Sequence, residues 1–346
     1  MAVSLTVDLG GSLTWVDCSR GYKSSSYGAA ECGLAPCASF GPEQTCGDCH
    51  SGKNPSTGCN NTCSVVARNP ITGQAAKGEV ASDILTVQST DGSNPGPTKT
   101  VHADFVCGTT SLSKGLAKEA KGAVGFGKTR PALLSQFDDR YVLSPRGIDV
   151  SKSLKFTPLV TNLPGKMFSE YYINVTAIKI NGKEVTINQS ILTVDGMGVG
   201  RTKISTVHPY TVLVTPIFNA VTAAFTKALG RVLRVNPIKP FGACYEAKDV
   251  GSTRVGPEVP NIDLVMHKNS VYWRISGANS MVQVNKDIMC LGFVDGGAMP
   301  GASVVIGGYQ LEDNLVEFDM FNRVGFSSSL LFRQTSCANF NFTVKA

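Results

Sequence analysis

The cysteines of this chain are concentrated in its first third and constrain what that part can fold into. Eight of the eleven lie between residues 18 and 107, and six lie between residues 32 and 63. The 32–63 segment is rich in Gly, Ser, Asn and Pro and poor in large apolar residues, so we predict that disulfide bonds hold it together. The disulfide candidates between residues 18 and 107 are Cys18, Cys32, Cys37, Cys46, Cys49, Cys59, Cys63 and Cys107.

Disulfide bonds persist in oxidising compartments, so the same cysteines indicate secretion. Four glycosylation sequons agree with this interpretation. They begin at Asn60, Asn174, Asn188 and Asn341. Residues 1–5 have neither the basic nor the apolar region of a signal peptide. We therefore expect an extracellular protein whose signal peptide is absent from this chain because the start is truncated.

Composition and patterning predict an all-β protein of two lobes. The chain has 346 residues and 42% hydrophobic content, enough for a large core. Short runs of β-branched and aromatic residues alternate with Gly, Asn and Pro turns. The runs are Leu5–Val7, Leu13–Val16, Glu79–Val87, Thr100–Cys107, Tyr171–Ile180, Gln283–Leu291, Ser303–Ile306 and Val316–Asp319.

Local signals refine this picture. Asn181-Gly182 predicts a β-hairpin turn. One amphipathic helix is predicted over 216–229, with Thr215 as N-cap and Gly230 at its end. Its apolar face is Ile217, Val221, Ala224, Phe225 and Leu229. An apolar run ends in glycine in each half, at 122–127 and 304–308, so we predict lobes of residues 1–158 and 159–346.

The segment Val7–Val16 resembles the first active-site turn of the pepsin-like aspartic proteinases, with Asp8 as its acid. The resemblance implies a bilobal pepsin-like fold. Catalysis in that family needs two carboxylates that share one proton. The sequence contains no second Asp-Thr-Gly or Asp-Ser-Gly, and Ser205 stands where the second aspartate is expected.

Other parts of the proteinase machinery are also missing. Leu9 replaces the hydroxyl residue that braces the dyad, and no tyrosine between residues 28 and 140 can serve as the flap tyrosine. We predict that the protein is not an enzyme and that Asp8 and Ser205 are vestigial. The alternative is an aspartic endopeptidase in which Asp8 acts with an unrecognised second acid, the nearest upstream of Ser205 being Asp195.

Several motifs that could suggest other functions lack their context. Residues 122–129 match the phosphate-binding loop formula, but a charged segment precedes them and Pro131 follows. Cys46 to His50 match a haem-attachment pattern within a cysteine-rich segment. The four histidines have no metal-ligand spacing.

The Lys and Arg residues that give the net charge of +6 are scattered along the chain, and no stretch of 18 apolar residues occurs. We expect no cofactor, metal, nucleic acid or membrane partner.

Longer matches extend through most of the chain. They include Asp8–Gly11, Trp15–Cys18, Tyr22–Tyr27, Cys59–Cys63, Gln88–Gly92, Asp149–Leu154, Ile180–Lys183, Lys203–Val207, Pro209–Leu213, Ser252–Pro257, Ile306–Gln310 and Ser329–Arg333. With these segments the chain resembles the plant extracellular dermal glycoprotein family. That family includes inhibitors of microbial xyloglucan-specific endoglucanases and is related to the wheat-type xylanase inhibitors.

The resemblance implies a secreted monomer of the cell wall that inhibits microbial glycoside hydrolases, such as an endoglucanase or xyloglucanase. In the family, arginines on loops of the C-terminal lobe enter the acidic cleft of the hydrolase. The matching residues are Arg254, in a Gly/Ser/Pro-flanked loop, and Arg333, after an apolar Leu330–Phe332 expected to pack the base of its loop. A non-inhibitory cell-wall binding protein is a further alternative.

The chain departs from the family after Phe137. Where relatives carry additional strand-forming residues and a cysteine, only residues 138–140 precede Tyr141 here, so we expect a shortened N-terminal lobe. The odd number of cysteines agrees with this expectation. If the first eight pair among themselves and Cys244 pairs with Cys290, Cys337 is left unpaired.

Overall fold

The computed structural model describes most of the chain, which forms two compact units. The described residues are 2–19, 21–46, 61–90, 95–137, 154–160, 169–194, 200–298, 302–319 and 322–337. Unit 1 comprises residues 1–89 and 96–141, and unit 2 comprises residues 90–95 and 142–346. Strand Lys155–Pro158 lies in the first lobe of the sequence-based division and pairs with Arg323–Phe326 of unit 2. The lobe boundary after residue 158 stays a prediction.

Within the described residues, an eight-stranded sheet forms most of unit 1. Its strands are β1 (Ser4–Asp8), β2 (Trp15–Asp17), β3 (Gly28–Ala29), β4 (Thr45–Cys46), β5 (Cys63–Arg68), β6 (Ala75–Thr90), β7 (Pro95–Gly108) and β8 (Ala120–Gly125). They lie in the order β1-β8-β2-β7-β6-β5-β4, with β3 paired to β6. The helix α1 (Ala35–Ala38) and the 3-10 turns Gly41–Glu43, Thr110–Ser113 and Leu133–Gln136 connect or follow the strands.

The core of unit 1 packs around Trp15 of β2. Trp15 is 1% exposed and lies in one cluster with Val80, Val106 and Leu112. Its indole N–H donates a hydrogen bond of 3.1 Å to the carbonyl oxygen of Arg68. This bond satisfies the polar group of a buried tryptophan, so the ring can lie inside the sheet without an unpaired donor.

Disulfide bonds link the segment that is poor in core residues to this sheet. The bonds of unit 1 are Cys18–Cys107, Cys32–Cys46 and Cys37–Cys63. Cys37 and Cys63 are fully buried. Removing a native disulfide from a small domain typically costs about 2–5 kcal/mol, so these bonds stabilise a region with little apolar burial of its own. Cys49, Cys59 and His50 lie outside the described residues.

Unit 2 is also built mainly from short strands. They are β9 (Lys155–Pro158), β10 (Tyr171–Ile173), β11 (Ala177–Ile180), β12 (Lys183–Glu184), β13 (Thr202–Ile204), β14 (Thr211–Leu213), β15 (Arg234–Val235), β16 (Cys244–Glu246), β17 (Ser252–Thr253), β18 (Gly256–Pro257), β19 (Ile262–Val265), β20 (Tyr272–Ile275), β21 (Met281–Gln283), β22 (Ile288–Leu291), β23 (Phe293–Asp295), β24 (Val304–Ile306), β25 (Val316–Asp319) and β26 (Arg323–Phe326). Its helices are α2 (Gln189–Leu192), α3 (Thr215–Leu229), α4 (Gly277–Ser280) and α5 (Gly308–Leu311), with 3-10 turns at Ala247–Asp249 and Leu330–Arg333.

These strands form several sheets rather than one. Their orders are β10-β13-β24-β14-β23, β12-β11-β19-β20, β15-β16-β22-β21, β25-β26-β9 and the hairpin β17-β18. The all-β prediction is confirmed, since strands dominate both units. No helix of the described residues is long and apolar enough to cross a membrane.

The predicted helix is confirmed as α3, but its N-cap is wrong. The helix begins at Thr215, and Val214 is the cap residue. The Thr215 hydroxyl donates instead to the Asp295 carboxylate at 2.7 Å. The fully buried face centres on Ile217, Val221 and Phe225, whereas two predicted members, Ala224 and Leu229, are only partly buried. Gly230 ends the helix with φ of 77°.

Two predicted strands are each divided in the structure. The run 171–180 forms β10 and β11, which belong to different sheets. The run 283–291 turns back on itself between β21 and β22, because the Asn285 side chain accepts the N–H groups of Asp287 and Ile288 at 2.9 and 3.0 Å. The hairpin predicted at Asn181-Gly182 is confirmed, and both residues have positive φ.

Candidate functional site

The Asp8 turn of unit 1 leaves β1 and enters β2. The backbone carbonyl of Asp8 accepts hydrogen bonds from the N–H groups of Gly11 (3.0 Å) and Phe126 (2.9 Å). Its carboxylate accepts the N–H of Gly10 at 3.2 Å. Asp8 is half-buried, and the neighbouring Leu9 is buried. Backbone donors therefore hold the Asp8 backbone carbonyl, the Gly10 N–H donates to its carboxylate, and Leu9 supplies no side-chain hydroxyl beside it.

Strand β8 runs parallel to β1 close to this turn. The N–H of Gly125 donates to the Thr14 hydroxyl at 3.3 Å. A Cβ on Gly125 would lie 2.4 Å from the Leu13 carbonyl oxygen and 2.5 Å from that of Gly11, so only glycine allows this approach. Gly122, the first glycine of the phosphate-loop-like motif, lies inside β8. The motif therefore forms part of a sheet instead of a strand-to-helix turn.

The Ser205 turn of unit 2 follows β13. Ser205 is 4% exposed, and its hydroxyl oxygen accepts the N–H groups of Val207 (3.2 Å) and His208 (3.3 Å). The same oxygen lies 3.0 Å from Nδ1 of His208. Strand β24 supports the turn, with the N–H of Gly307 donating to the Thr211 hydroxyl at 3.2 Å. In the tautomer with unprotonated Nδ1, the Ser205 hydroxyl donates this 3.0 Å hydrogen bond to the imidazole, and in the other tautomer it accepts the bond.

His208 is the residue of this turn that sequence reasoning missed. Burial lowers the pKa of its imidazole, and the nearby positive charge of Lys203 lowers it further, against an opposing effect of Glu170. The available signal was its position three residues after Ser205, within hydrogen-bonding reach of a turn residue. A hydroxyl and a weakly basic imidazole thus occupy the turn where proteolysis by the usual mechanism requires a carboxylate.

Glu170, the acid whose charge acts on this imidazole, is already paired. Glu170 forms an ion pair with Lys203 and accepts a hydrogen bond from the Tyr172 hydroxyl. Burial acts to raise the pKa of Glu170, but the hydrogen bonds from these two partners outweigh it and hold the pKa below its usual range. Glu170 is therefore a charged structural partner and is not poised as a general acid.

Arg254 lies at the tip of the β17–β18 hairpin and is exposed. The Thr253 hydroxyl closes the hairpin, since it donates to the Gly256 carbonyl (2.8 Å) and accepts the Val255 N–H (3.2 Å). The Val255 carbonyl in turn accepts the N–H of Ala278 at 2.7 Å. The hairpin is thus docked on α4, while among the described residues the Arg254 guanidinium has no hydrogen-bond or ion-pair partner.

Arg333 ends the 3-10 turn Leu330–Arg333 and is exposed. The Ser329 hydroxyl caps the start of this turn by accepting the Leu331 N–H at 3.2 Å. Gln334 closes its end in the left-handed conformation, with φ of 57°. Within the described part of the chain, the Arg333 guanidinium also has no hydrogen-bond or ion-pair partner. Both arginines therefore project from turns that are fixed by local hydrogen bonds.

The residues before Arg333 do not all pack as expected. Leu330 is 1% exposed and packs the base of the turn, but Phe332 is 49% exposed. A 3-10 turn repeats every three residues, so neighbouring side chains point in different directions and an unbroken apolar run cannot be buried whole. Phe332 is an exposed aromatic residue directly beside Arg333 that sequence reasoning had placed in the core.

The second unit contains a disulfide and a free thiol. Cys244 and Cys290 are bonded and face each other across β16 and β22. Cys337 is free and exposed among the described residues. Its backbone N–H donates to the Asp313 carboxylate at 2.8 Å. The chain after Arg333 is therefore tied to Asp313 without a disulfide at Cys337.

The sequons that can be examined lie in unit 2 and differ in exposure. Asn188 is exposed, and its side-chain oxygen accepts the N–H (3.1 Å) and hydroxyl (2.9 Å) of Ser190. Asn174 is partly buried, and its side-chain oxygen is buried with no hydrogen-bond partner within the described part of the chain. Asn60, Asn341 and the alternative acid Asp195 lie outside the described residues.

Family models cover most of the chain. A model described as xylanase inhibitor N-terminal matches residues 1–146, and one described as xylanase inhibitor C-terminal matches residues 170–328. The first match contains the Asp8 turn, and the second contains the Ser205 turn and Arg254. Arg333 lies beyond the matched residues.

Individual proteins are similar over nearly the whole chain. The "Probable aspartic proteinase GIP2" of Nicotiana benthamiana is 47% identical over 383 residues, with 99% of this chain and 86% of that protein covered. A crystal structure of edgp is similar with a TM-score of 0.89 and 46% identity, covering 98% of this chain and 91% of that chain. A crystal structure of basic 7S globulin from soybean has a TM-score of 0.80 and 33% identity, covering 99% and 92%.

Proposed function

This chain belongs to the xylanase-inhibitor family of proteins with the pepsin-like fold, and we propose that it is an extracellular inhibitor of microbial glycoside hydrolases. Membership of this family indicates a protein related to aspartic proteinases that is inactive as a proteinase. In the proposal, a monomer binds an endoglucanase or xyloglucanase and inserts Arg254 and Arg333 into its acidic active-site cleft.

The observation that carries the proposal is the presentation of these two arginines. Both guanidinium groups are exposed, and both lack a hydrogen-bond or ion-pair partner among the described residues. Both project from turns of unit 2 that are closed by a threonine or serine hydroxyl. A turn whose backbone is already fixed loses little backbone freedom when its arginine binds, so only the ordering of the arginine side chain reduces the affinity.

The chemistry of the proposed target suits this arrangement. Glycoside hydrolases use two carboxyl groups that flank the scissile bond, about 5–9.5 Å apart. A guanidinium binds a carboxylate through two parallel, charge-assisted hydrogen bonds. The net charge of +6 also favours encounter with an acidic cleft. The exposed Phe332 beside Arg333 adds an aromatic contact of the kind that is enriched at interface hot spots.

The disulfides support the extracellular part of the proposal. Such bonds form and persist in oxidising compartments, and four of them occur within the described residues. An extracellular location would bring the protein into contact with secreted microbial hydrolases at the plant cell wall. The proposal includes glycosylation at one or more of the four sequons, which begin at Asn60, Asn174, Asn188 and Asn341.

An aspartic endopeptidase remains the competing hypothesis, and the Ser205 turn argues against it. A lone carboxylate at Asp8 cannot act as acid and base together, and the Ser205 turn offers a hydroxyl with an imidazole nitrogen 3.0 Å away. Cleavage of a protein substrate at acid pH that is abolished by Asp8→Asn would support the peptidase and count against an inactive protein.

The proposal is tested by mixing the purified, oxidised protein with a panel of fungal glycoside hydrolases and measuring binding and residual glucanase activity. We expect the protein to bind at least one hydrolase and reduce its activity. Arg254→Ala and Arg333→Ala should each weaken that binding by about 2 kcal/mol, the usual size of a hot-spot effect. A saturating oligosaccharide substrate should compete, since both ligands occupy the cleft.

Arg231→Ala is the matched control, because Arg231 is another exposed arginine of unit 2 outside the two turns. It should leave inhibition unchanged. If neither Arg254→Ala nor Arg333→Ala weakens inhibition more than this control does, the assignment of these arginines is wrong. If no hydrolase binds while a relative inhibits in the same assay, the inhibitor proposal fails for this chain.

A further inference from the structure

A buried side chain, Asn279 of α4, links the hairpin that carries Arg254 to the turn that carries Arg333. Asn279 is 3% exposed. Its side-chain N–H groups donate to the carbonyl oxygens of Tyr309 (3.0 Å) and Glu312 (2.7 Å). This amide thus connects α4 to α5 and the residues that follow it.

On one side, α4 holds the Arg254 hairpin. Ala278, the residue directly before Asn279, donates its N–H to the Val255 carbonyl at 2.7 Å. The packing is close, since a Cβ on Gly277 would lie 2.0 Å from the Pro257 carbonyl oxygen. The position of α4 therefore determines the position of the hairpin.

On the other side, the segment held by Asn279 anchors the Arg333 turn. Asp313 directly follows Glu312, and its carbonyl accepts the N–H of Leu330 at 2.7 Å. Its carboxylate accepts the N–H of Cys337 at 2.8 Å. Asp313 thus holds the chain before and after Arg333, and Asn279 holds the residue next to Asp313.

A second buried amide supports this connection between α4 and α5. Gln310 is fully buried, and its side-chain N–H groups donate to the carbonyls of Asn279 (2.9 Å) and Gly292 (3.0 Å). Its side-chain oxygen accepts both the N–H and the hydroxyl of Thr211 at 2.8 Å. Thr211 also braces the strand beneath the Ser205 turn through Gly307. The connection between α4 and α5 is therefore hydrogen-bonded to the residues that support the Ser205 turn.

We propose that Asn279 is a positioning residue that fixes the separation and relative orientation of Arg254 and Arg333. Its importance for binding rests on the proposed inhibitory function, whereas its effect on the geometry does not. Two carboxylates in an enzyme cleft have a fixed spacing, so two guanidinium groups bind them together only if their own spacing matches. If the spacing of the two guanidinium groups is already fixed, binding of the first arginine places the second beside its carboxylate. The second contact then costs less ordering entropy, and the two contacts are cooperative.

The geometry can be tested without any hydrolase. One spin label is attached to the natural free thiol of Cys337 and a second to a thiol introduced by Arg254→Cys, and the distribution of distances between them is measured by pulsed electron resonance. We expect a narrow distribution with Asn279 present and a clearly broader or displaced one after Asn279→Ala. An unchanged distribution would overturn the inference.

The matched control is Asn69→Ala in unit 1. Asn69 is 1% exposed, and its side-chain N–H groups also donate to two carbonyls, those of Leu112 (2.6 Å) and Lys114 (2.8 Å). It should reduce the thermal stability comparably and leave the label distances unchanged. Should Asn279→Ala fail to fold, Asn279→Ser provides the same comparison, because the shorter side chain cannot reach both carbonyls. A distribution that responds equally to the control would contradict a specific positioning role.

Binding provides a second readout that separates this inference from the proposed function. In unlabelled protein, Asn279→Ala should weaken hydrolase binding by about tenfold, within the range for residues that share one network. In the background of Arg254→Ala the same change should have little effect, since only one arginine is left to align. Equal weakening in both backgrounds would contradict positioning. If the unsubstituted protein binds no hydrolase, the proposed function fails while the label distances still decide the role of Asn279.

Discussion

The Asp8 turn of unit 1 and the Ser205 turn of unit 2 share a backbone framework but carry different chemical groups. In each turn the side chain of the first residue accepts the N–H of the residue two positions later, at 3.2 Å. In each, a threonine six positions later accepts the N–H of a glycine at the end of an adjacent strand, Gly125 in β8 and Gly307 directly after β24, at 3.3 and 3.2 Å. The framework therefore does not depend on whether a carboxylate or a hydroxyl occupies the first position.

This difference separates the hydrogen bonds that maintain the fold from the ionisable groups that catalysis requires. The supporting bonds run between backbone groups and threonine hydroxyls that are buried in both units. Proton transfer, in contrast, requires a second ionisable group at the first position, and Ser205 cannot supply it. A chain can lose catalysis by changing one side chain and still keep the turn.

The strand glycines should show the largest effect. Gly307→Ala in unit 2 places a Cβ about as close to backbone as Gly125→Ala does in unit 1, at 2.3 Å from the Tyr210 carbonyl. We expect each change to destabilise its own unit by about 3 kcal/mol, because backbone atoms cannot move aside. Urea unfolding measures this with separate probes, since Trp15 lies in unit 1 and Trp273 in unit 2.

Gly28→Ala is the control for this pair. Gly28 is exposed in β3, and a Cβ there would meet nothing within 4 Å. Its effect should lie within about 0.5 kcal/mol, as for most surface changes. A strong effect at one of the two strand glycines and none at the other would break the equivalence of the two turns.

The bracing threonines should show the next largest effect. Thr14→Val and Thr211→Val each leave a buried glycine N–H without its acceptor, which costs about 1–3 kcal/mol. Thr211→Val should be the more destabilising, because the Thr211 hydroxyl also donates to Gln310 at 2.8 Å. The same urea titrations measure both, and a larger loss for Thr14→Val would contradict this ranking.

The smallest expected effect is a pH dependence of stability that His208 contributes in the Ser205 turn. Because burial lowers the pKa of His208 in the folded protein, the unfolded chain binds more protons as the solution becomes acidic. The contribution of His208 is therefore fully present above about pH 6.5, the ordinary histidine pKa, and stability falls below it. His208→Asn keeps an acceptor for Ser205 and should remove this part of the pH dependence.

The measurement is the stability difference between the two proteins at successive pH values, followed through Trp273. Other titrating groups cancel in that difference, so it should change only below about pH 6.5. A difference that is constant with pH, or that changes only above about pH 6.5, would mean that His208 does not have a lowered pKa. The chemical shift of the His208 ring protons provides a direct check.

Sequence reasoning succeeded where a local signal has one structural solution. The 3.6-residue periodicity and Gly230 predicted α3 with its end, and Asn181-Gly182 predicted a hairpin because both residues readily adopt positive φ. It failed where local strand propensity was interrupted by a distant contact. The run 171–180 divides because the Thr176 hydroxyl turns to the Met266 carbonyl at 2.8 Å.

In the candidate site, too, local features could be predicted from the sequence and contacts in space could not. The loss of the second acid could be predicted, because it needs only the residue type at position 205. The imidazole beside it could not, since hydrogen bonding of His208 to Ser205 depends on how the turn folds back. That the guanidinium groups of Arg254 and Arg333 have no partner among the described residues was likewise beyond the sequence, because pairing of a surface arginine depends on its neighbours in space.

By itself, the sequence determined the all-β class through residue type and periodicity, and its resemblance to the pepsin-like proteinases located the two turns and predicted that the second catalytic aspartate is missing. Only the tertiary structure decided that Leu330 is buried while Phe332 is exposed, and that Asn279 joins two loops whose arginines are 79 residues apart in the chain. The physical reason is that burial and hydrogen-bond partners depend on contacts between residues distant in sequence. No local pattern specifies those contacts.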